Sequence, residues 1–250
     1  MRAVVLGSGT GIPTARRGPA GFLMMDGPRT ILVDSGSGTL GRMARAGVLP
    51  ENLERVLYTH FHPDHVADLV PILFALRNTP REGDPLAVQG PPGLAALFEK
   101  FHGIFGHWIE PGDPPRWRLE EIPPRRHEFP GLAVTPVKTA HTPESQGYRF
   151  ELGGRVVAVS GDTGPCGALE ELGRGADLLV LECSFPDSRP LEQHMTPSAC
   201  AEVARRAHPR RLLLTHLYPE MDRARGRARK AFAGLACEVV WAKDGMTIDL

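Results

Sequence analysis

The sequence predicts an α/β (α+β) domain in which two mixed β-sheets pack together and helices cover their outer faces. The N-terminal half is rich in short apolar runs separated by Gly and Pro, a pattern typical of strands. The C-terminal half alternates helix and strand patterns, and the two halves are similar in size. With 250 residues and no flexible linker, we expect one domain over 1–250 with a substantial core.

In the first half, apolar runs bounded by turn residues predict strands, and longer periodic segments predict helices. The predicted strands are 3–6, 22–25, 30–34, 56–59 and 86–89. The predicted helices are 39–46, 66–76 and 94–101. Residues 103–131 contain many prolines and aromatics without a clear period, so we predict loops and edge strands there.

The second half begins with a strand at 132–140 and a hairpin whose strands, 146–152 and 155–160, are joined by Gly153-Gly154. Helix and strand patterns then alternate. They predict helices at 167–172, 196–207 and 222–233 and strands at 177–182, 211–215, 238–241 and 246–249. Thr196 as the cap and Pro197 in the first turn support the 196–207 helix.

Composition excludes several classes of protein. The formal net charge is zero and no long basic run is present, so only a local nucleic-acid patch is compatible with the sequence. The sequence contains no run of about 18 apolar residues, so no membrane span is expected. The N-terminus meets Gly7 too early for a signal peptide. The four cysteines form no CxxC pair, so a reduced, cytoplasmic protein is expected.

Three histidines and an aspartate fall within six positions, as His60, His62, Asp64 and His65. Neutral imidazole and carboxylate are common zinc ligands. Residues 53–58 predict a strand, so the cluster is expected in the loop that follows it. A loop can direct neighbouring side chains to one point, whereas successive side chains of a strand face opposite sides. The cluster therefore favours a metal site over a solvated polar loop.

Three further polar residues directly follow predicted strands, namely His141, Asp162 and His216. Sites in sheet proteins gather where strands leave the core. Singly, each residue is more typical of a turn or cap, but with the cluster they make five histidines and two aspartates, enough for two metals that share a carboxylate. Asp68, on the helix predicted after the cluster, is either a carboxylate that orients a ligand histidine or an exposed residue.

The ordered series His60-x-His62-x-Asp64-His65, His141, Asp162, His216 resembles the ligands of the metallo-β-lactamase superfamily. The resemblance runs from about residue 4 to the C-terminus and implies a four-layer αββα sandwich with two metals at one edge. By this resemblance, one metal is bound by His60, His62 and His141. The other is bound by Asp64, His65 and His216, and Asp162 bridges the two.

Four segments resemble the ribonuclease Z and phosphodiesterase branch of that superfamily. They are 6–13, which ends in Pro13, then 17–20, 32–36, and 181–185 followed by His194-Met195-Thr196. In ribonuclease Z-like enzymes, a Glu and a His at the positions of Glu182 and His194 form a pair beside the metals, and the His assists at the scissile phosphate. We therefore expect His194 and Glu182 to be catalytic residues. Asp64 is expected to be catalytic as well, because it can bind a metal and also accept a hydrogen bond from the metal-bridging hydroxide.

Two departures from ribonuclease Z disfavour tRNA processing. Twenty residues separate His141 from Asp162, which leaves no room for the long tRNA-binding arm of bacterial ribonuclease Z. Arg17-Gly18 also stands where ribonuclease Z usually has an Arg-Asn pair.

The expected function is that of a dinuclear hydrolase that uses a metal-bridging hydroxide to cleave phosphodiesters, with a small or nucleotide-type ester as the favoured substrate. The expected cofactors are two divalent ions, zinc first and manganese or iron as alternatives. RNA is a less favoured substrate, no membrane is involved, and the resemblance alone suggests a homodimer. Sulfate esters, lactones and a non-enzymatic, metal-stabilised protein remain open, because a fold does not fix its substrate.

Overall fold

The strands of this protein form two mixed sheets. The computed structural model describes residues 1–12, 14–80 and 82–250, so Pro13 of the opening motif and Arg81 lie outside the described residues. The strands of the first half are β1 Arg2–Gly7, β2 Gly21–Asp26, β3 Arg29–Val33, β4 Arg55–Leu57, β5 Leu86–Gly90, β6 Trp117–Glu121 and β7 His127–Phe129. Those of the second half are β8 Leu132–Lys138, β9 Gln146–Leu152, β10 Arg155–Val159, β11 Leu178–Glu182, β12 Arg211–Thr215, β13 Glu238–Trp241 and β14 Thr247–Asp249.

Helices connect the strands in both halves. They are α1 Thr39–Arg45, α2 Pro63–Val66, α3 Leu69–Asn78, α4 Leu94–Phe105, α5 Ala168–Gly173, α6 Pro197–Ala207 and α7 Pro219–Ala228. Single turns of 3₁₀-helix occur at Pro50–Asn52, Gly106–Ile109 and Arg229–Phe232. Among the described residues, no helix has the length and apolarity that a membrane span requires.

The first sheet has the strand order β14-β1-β2-β3-β4-β5-β6, and the second has the order β13-β12-β11-β10-β9-β8-β7. Both sheets are buried on both faces, which is why their central strands are almost continuously apolar. Along β1, for example, Ala3 and Val5 pack between the sheets, whereas Val4 and Leu6 pack under the helices of the first half. A third apolar cluster lies between the second sheet and its helices. These layers confirm the predicted αββα sandwich.

Strand direction determines where the chain leaves the core. Strands β3 to β6 are mutually parallel, and so are β10 to β13. Strand β8 pairs antiparallel with β9, which pairs antiparallel with β10, so β8 runs in the same direction as β10. The carboxyl ends of parallel strands meet at one edge of a sheet. Polar residues that follow these strands are therefore brought to a common edge.

One predicted segment differs in detail from the structure, and one segment without a clear pattern contains the edge strands predicted for it. The helix predicted at 66–76 is interrupted after Val66, and α3 begins at Leu69 because Asp68 turns its carboxylate towards the start of α1. Residues 103–131 do contain edge strands, since β6 ends the first sheet and β7 ends the second. The other predicted elements are present, with ends shifted by a few residues.

Candidate metal centre

The histidine cluster follows β4, as predicted. His60 lies in the loop, His62 is the N-cap of α2, and Pro63 begins that helix. Asp64 and His65 are in its first turn, and His65 is buried. Proline suits the first helical position because its missing N–H needs no partner there. The short helix thus turns Asp64 and His65 back beside His60 and His62.

Gly36 fixes how closely this helix approaches the first sheet. A Cβ added to Gly36 would lie 2.0 Å from the carbonyl oxygen of Asp64, a separation that atoms do not adopt. The backbone N–H of Ser35 also donates to the carbonyl oxygen of His65 at 2.7 Å. Only glycine therefore lets the loop after β3 support the backbone that carries these two side chains.

The other predicted ligands come from the second sheet. His141 follows β8, Asp162 follows β10 and His216 follows β12. His216 has a positive φ of 54°, the left-handed region in which a residue other than glycine is uncommon. The strained backbone directs its ring towards the residues of the first sheet.

All seven predicted ligands converge at this shared edge. Their donor atoms fall into two groups, within each of which every atom lies within 4.8 Å of the others. The first group is His60, His62, His141 and Asp162, and the second is Asp64, His65 and His216. Asp162 also contacts the second group, since its carboxylate oxygens lie 3.3 Å from His65 Nε2 and 3.3 Å from His216 Nε2.

One observation, which does not depend on the order of residues in the sequence, supports divalent cations as the group that these donor atoms would bind. His60 is fully buried, and its Nε2 atom has no hydrogen-bond partner among the described residues. A buried polar atom without a partner is costly, and a cation is the partner that surrounding imidazole and carboxylate groups favour. Burial also lowers the pKa of His60 well below its usual value, which keeps its ring neutral and able to bind a metal.

Neighbouring charges shift the pKa values of two buried groups in the centre. Burial alone would lower the pKa of His65, but the carboxylates of Asp162 and Asp34 raise it well above the usual value. Burial would likewise raise the pKa of Asp162, but His216 and His65 hold it well below its usual range. The centre thus keeps Asp162 ionised, which is the state in which a carboxylate binds a cation.

A contact at the Nδ1 atom orients the ring of three of the ligand histidines. Asp34 Oδ2 lies 2.8 Å from His65 Nδ1, and Asp34 Oδ1 accepts from the backbone N–H of Thr59 at 2.8 Å. The Thr59 hydroxyl lies 3.0 Å from His60 Nδ1, and the Ser184 hydroxyl lies 3.0 Å from His216 Nδ1. Such contacts leave each Nε2 free to face the centre.

Sequence reasoning missed Asp34, Thr59 and Ser184 as orienting residues and considered Asp68 for such a role. That expectation for Asp68 is wrong, and so is its alternative of an exposed residue. Asp68 is buried, and its carboxylate accepts from the backbone N–H groups of Gly38 at 3.1 Å and Leu40 at 2.7 Å. The available signal for Asp34 was an Asp at the end of an apolar strand, similar to the signal that revealed Asp162.

Glu182 and His194 form a pair beside the centre. Glu182, at the end of β11, is buried, and its Oε1 lies 2.9 Å from His194 Nδ1. The same oxygen accepts from the backbone N–H of Thr163 at 2.7 Å, which fixes the carboxylate. Burial lowers the pKa of His194, but the hydrogen bond and charge of Glu182, together with the charges of Asp162 and Asp64, outweigh it, so the pKa is raised. The His194 ring is stacked on that of His216, with centroids 6.0 Å apart.

The comparison with protein families agrees with this geometry. A family model described as a beta-lactamase superfamily domain matches residues 29–217. The chain belongs to this superfamily. The match spans all seven predicted ligands, since it runs from the start of β3 to the residue after His216.

Three known proteins are similar to this protein over nearly the whole chain. Ribonuclease Z from Mycobacterium bovis is 32% identical over 256 residues, which covers 93% of this chain and 91% of the relative. The crystal structure of the metallo-β-lactamase fold protein YhfI from Bacillus subtilis superposes with a TM-score of 0.81 at 27% identity, over 99% of this chain and 98% of that one. Human tRNase Z, short form, has the same fold, with a TM-score of 0.81 at 21% identity over 100% and 99% of the two chains.

Proposed function

We propose that this protein is a metal-dependent phosphodiesterase that cleaves RNA. The observation that carries the proposal is the convergence of seven imidazole and carboxylate side chains at one edge of the sandwich, with the Glu182–His194 pair beside them. A structural zinc site usually closes four ligands around a single ion. Seven ligands and a separate acid pair favour a catalytic centre over a structural one.

In this proposal, His60, His62 and His141 hold one cation. Asp64, His65 and His216 hold the other, and Asp162 contributes to both. An imidazole-rich donor set suits zinc, with manganese and iron as the alternatives that metal availability would decide. When bound, a pair of divalent cations lowers the pKa of water and offsets charge that develops on the phosphoryl oxygens.

The side chains then have separate roles. Glu182 holds His194 by Nδ1 and favours its protonated form, so Nε2–H is available to donate a proton to the leaving oxygen. Asp64 accepts a hydrogen bond from the backbone N–H of Gly11 at 2.8 Å, which holds its carboxylate towards the centre. The rings of Phe185 and Tyr218 stack with centroids 4.5 Å apart and form an aromatic wall next to His194.

RNA is the proposed substrate because relatives similar over nearly their whole length are named ribonuclease Z. A small phosphodiester is the second candidate. The observation in its favour is the short interval between His141 and Asp162, which the β9–β10 hairpin fills. A homodimer, a cytoplasmic location and a single domain over 1–250 stay predictions.

A panel assay tests the proposal. The metal-loaded protein is offered precursor tRNA with a 3′ trailer, a chromogenic phosphodiester, a phosphomonoester, a sulfate ester and a lactone, with zinc, manganese or iron restored. We expect cleavage of RNA and of the phosphodiester, and His194→Ala should lower kcat by about 10²- to 10⁴-fold without loss of metal. The exposed His107, replaced in the same way, is the control and should have no effect. Hydrolysis of only the sulfate ester or the lactone by the loaded protein would overturn the proposal.

A further inference from the structure

A basic cleft lies beside the loop that joins β1 to β2. Its volume is about 630 Å³, and arginines from three elements line it: Arg2 on β1, Arg16 and Arg17 on the loop, and Arg42 and Arg45 on α1. The lining residues include one carboxylate, that of Asp244. The protein has no net charge, so this concentration of positive charge is local.

Among the described residues, the carboxylate in the cleft forms no ion pair with these arginines. Asp244 Oδ1 accepts from the backbone N–H and the hydroxyl of Ser8 at 2.9 and 2.7 Å, and its Oδ2 accepts from the N–H of Gly18 at 2.7 Å. Arg2, Arg16 and Arg45 are exposed, and within the described part of the chain none of the three forms an ion pair.

Exposed arginines elsewhere in the protein are commonly paired. Arg126 pairs with Glu151, Arg174 with Glu170, and Arg205 with Glu202. Arg125, Arg223 and Arg227 are also exposed and form no ion pair among the described residues, so the cleft is distinguished by the grouping of several unpaired arginines in one place. Guanidinium groups without a carboxylate partner favour an anion, and their planar fork matches the oxygens of a phosphate.

A second basic cleft adjoins the first. Its volume is about 730 Å³, and Arg225, Arg229 and Lys243 line it together with Asp222. Asp222 connects the two clefts, because its Oδ1 atom lies 2.8 Å from Arg17 Nη2 and 2.8 Å from Arg225 Nε. The two clefts make one positive track that is longer than a single phosphate group needs.

The track begins close to the metal centre. The N–H of Gly11 donates to Asp64, and Thr14, three residues further along the chain, already lines the first cleft. Three residues span at most about 11 Å. On the other side, Tyr218, the N-cap of α7, lies against the His216 ring, and α7 carries Arg225 into the second cleft.

We propose that this track binds the phosphates of the RNA strand whose cleavage site lies at the metal centre. The inference rests on the proposed function and adds to it the surface that grips the substrate. Arg2 begins β1, and Gly7 at the other end of that strand lines the pocket beside Asp162 and His216, so the track extends about 16 Å from the centre. A strand would span that distance, whereas a small ester would not. Binding energy from parts of a substrate that do not react can be used to position the part that does. The track would thus provide contacts to RNA for which the short interval between His141 and Asp162 leaves no room.

Salt-dependent RNA binding tests the proposal. A phosphorothioate single-stranded RNA, which resists cleavage, is titrated into the metal-loaded protein at several salt concentrations. The track variant combines Arg2→Ala, Arg16→Ala and Arg45→Ala. The control variant combines Arg125→Ala, Arg174→Ala and Arg205→Ala, which removes the same charge from exposed positions outside the clefts.

Each phosphate contact to a single strand contributes about −0.7 to the slope of log K against log salt. Loss of three contacts should reduce the magnitude of the slope by about 2 and weaken binding about 50-fold at 0.15 M salt. The control variant should keep the slope of the unmodified protein. Equal slopes for the track variant and the unmodified protein, equal losses in both variants, or no RNA binding at all would overturn the proposal.

A chromogenic phosphodiester separates this result from the proposed function. Its hydrolysis depends on the metal centre alone, so the track variant should hydrolyse it at the rate of the unmodified protein. Full hydrolysis without track-dependent RNA binding would refute the track and leave the phosphodiesterase chemistry intact. Absence of hydrolysis in every variant would refute the phosphodiesterase itself.

Discussion

Replacement of Glu182 by Gln is predicted to move the alkaline limb of the pH profile. The change keeps the size of the side chain and an oxygen that faces His194 Nδ1, but it removes the negative charge 2.9 Å from that nitrogen. The raised pKa of His194 means that the protonated acid is present at low pH and is lost as the pH rises through that pKa. In the variant, burial still lowers the pKa of His194, the charge of Glu182 no longer opposes it, and only the smaller effects of Asp162 and Asp64 still raise the pKa.

The size of the effect follows from the contact. A charged partner within about 4–6 Å shifts a pKa by about 1–3 units. We therefore expect the alkaline limb of kcat/KM for the phosphodiester to fall by about 1–3 pH units in Glu182→Gln. Above that limb, each pH unit lowers the protonated fraction of His194 about tenfold, and the rate follows.

The assay is a pH profile of the metal-loaded enzymes with metal content and thermal midpoint measured in parallel. Glu192→Gln, an exposed position two residues before His194, is the matched control and should leave the profile unchanged. An alkaline limb at the same pH in Glu182→Gln and the unmodified enzyme, with full metal content, would refute the role assigned to the pair.

Three further predictions concern the metal centre. Asp34→Ala removes the carboxylate 2.8 Å from His65 Nδ1, so metal affinity should fall about 10- to 100-fold in a chelator competition; unchanged affinity would contradict its orienting role. Gly36→Ala places a Cβ 2.0 Å from the Asp64 carbonyl oxygen and should lower both metal content and thermal midpoint, whereas Gly41→Ala, which meets no atom within 4 Å, should not lower either one. Removal of the metals by a chelator should lower the thermal midpoint, since a ligand at 100 times its Kd stabilises by about 2.7 kcal/mol, and added zinc should restore it; a midpoint insensitive to both treatments would contradict a bound metal.

The order of elements and the convergence of the ligands follow from local pattern. Asp162 and His216 each lie within three residues of the end of an apolar strand, and the parallel pairing of β10, β11 and β12 brings such positions together. Glu182 follows the same rule, but nothing in its local pattern connects it to His194. That pairing was expected only from a family resemblance, and the 2.9 Å contact between the two side chains agrees with it.

What sequence reasoning missed depends on contacts between distant segments. The break between α2 and α3 arises because Asp68 accepts hydrogen bonds from the start of α1, which no periodicity in 66–76 indicates. The edge strand β6 carries charged residues on a partly exposed surface, so it lacks the apolar alternation of a buried strand. The basic track could not be predicted from the sequence, because its arginines lie on β1, a loop, α1 and α7, and only the fold places them together.

The metal content per chain tests the central claim most directly. Elemental analysis of the purified, metal-loaded protein should give two divalent ions per chain, and His216→Ala and His62→Ala should each lower that number while the protein stays folded. A protein that contains no zinc, manganese or iron and takes up none would contradict the dinuclear centre.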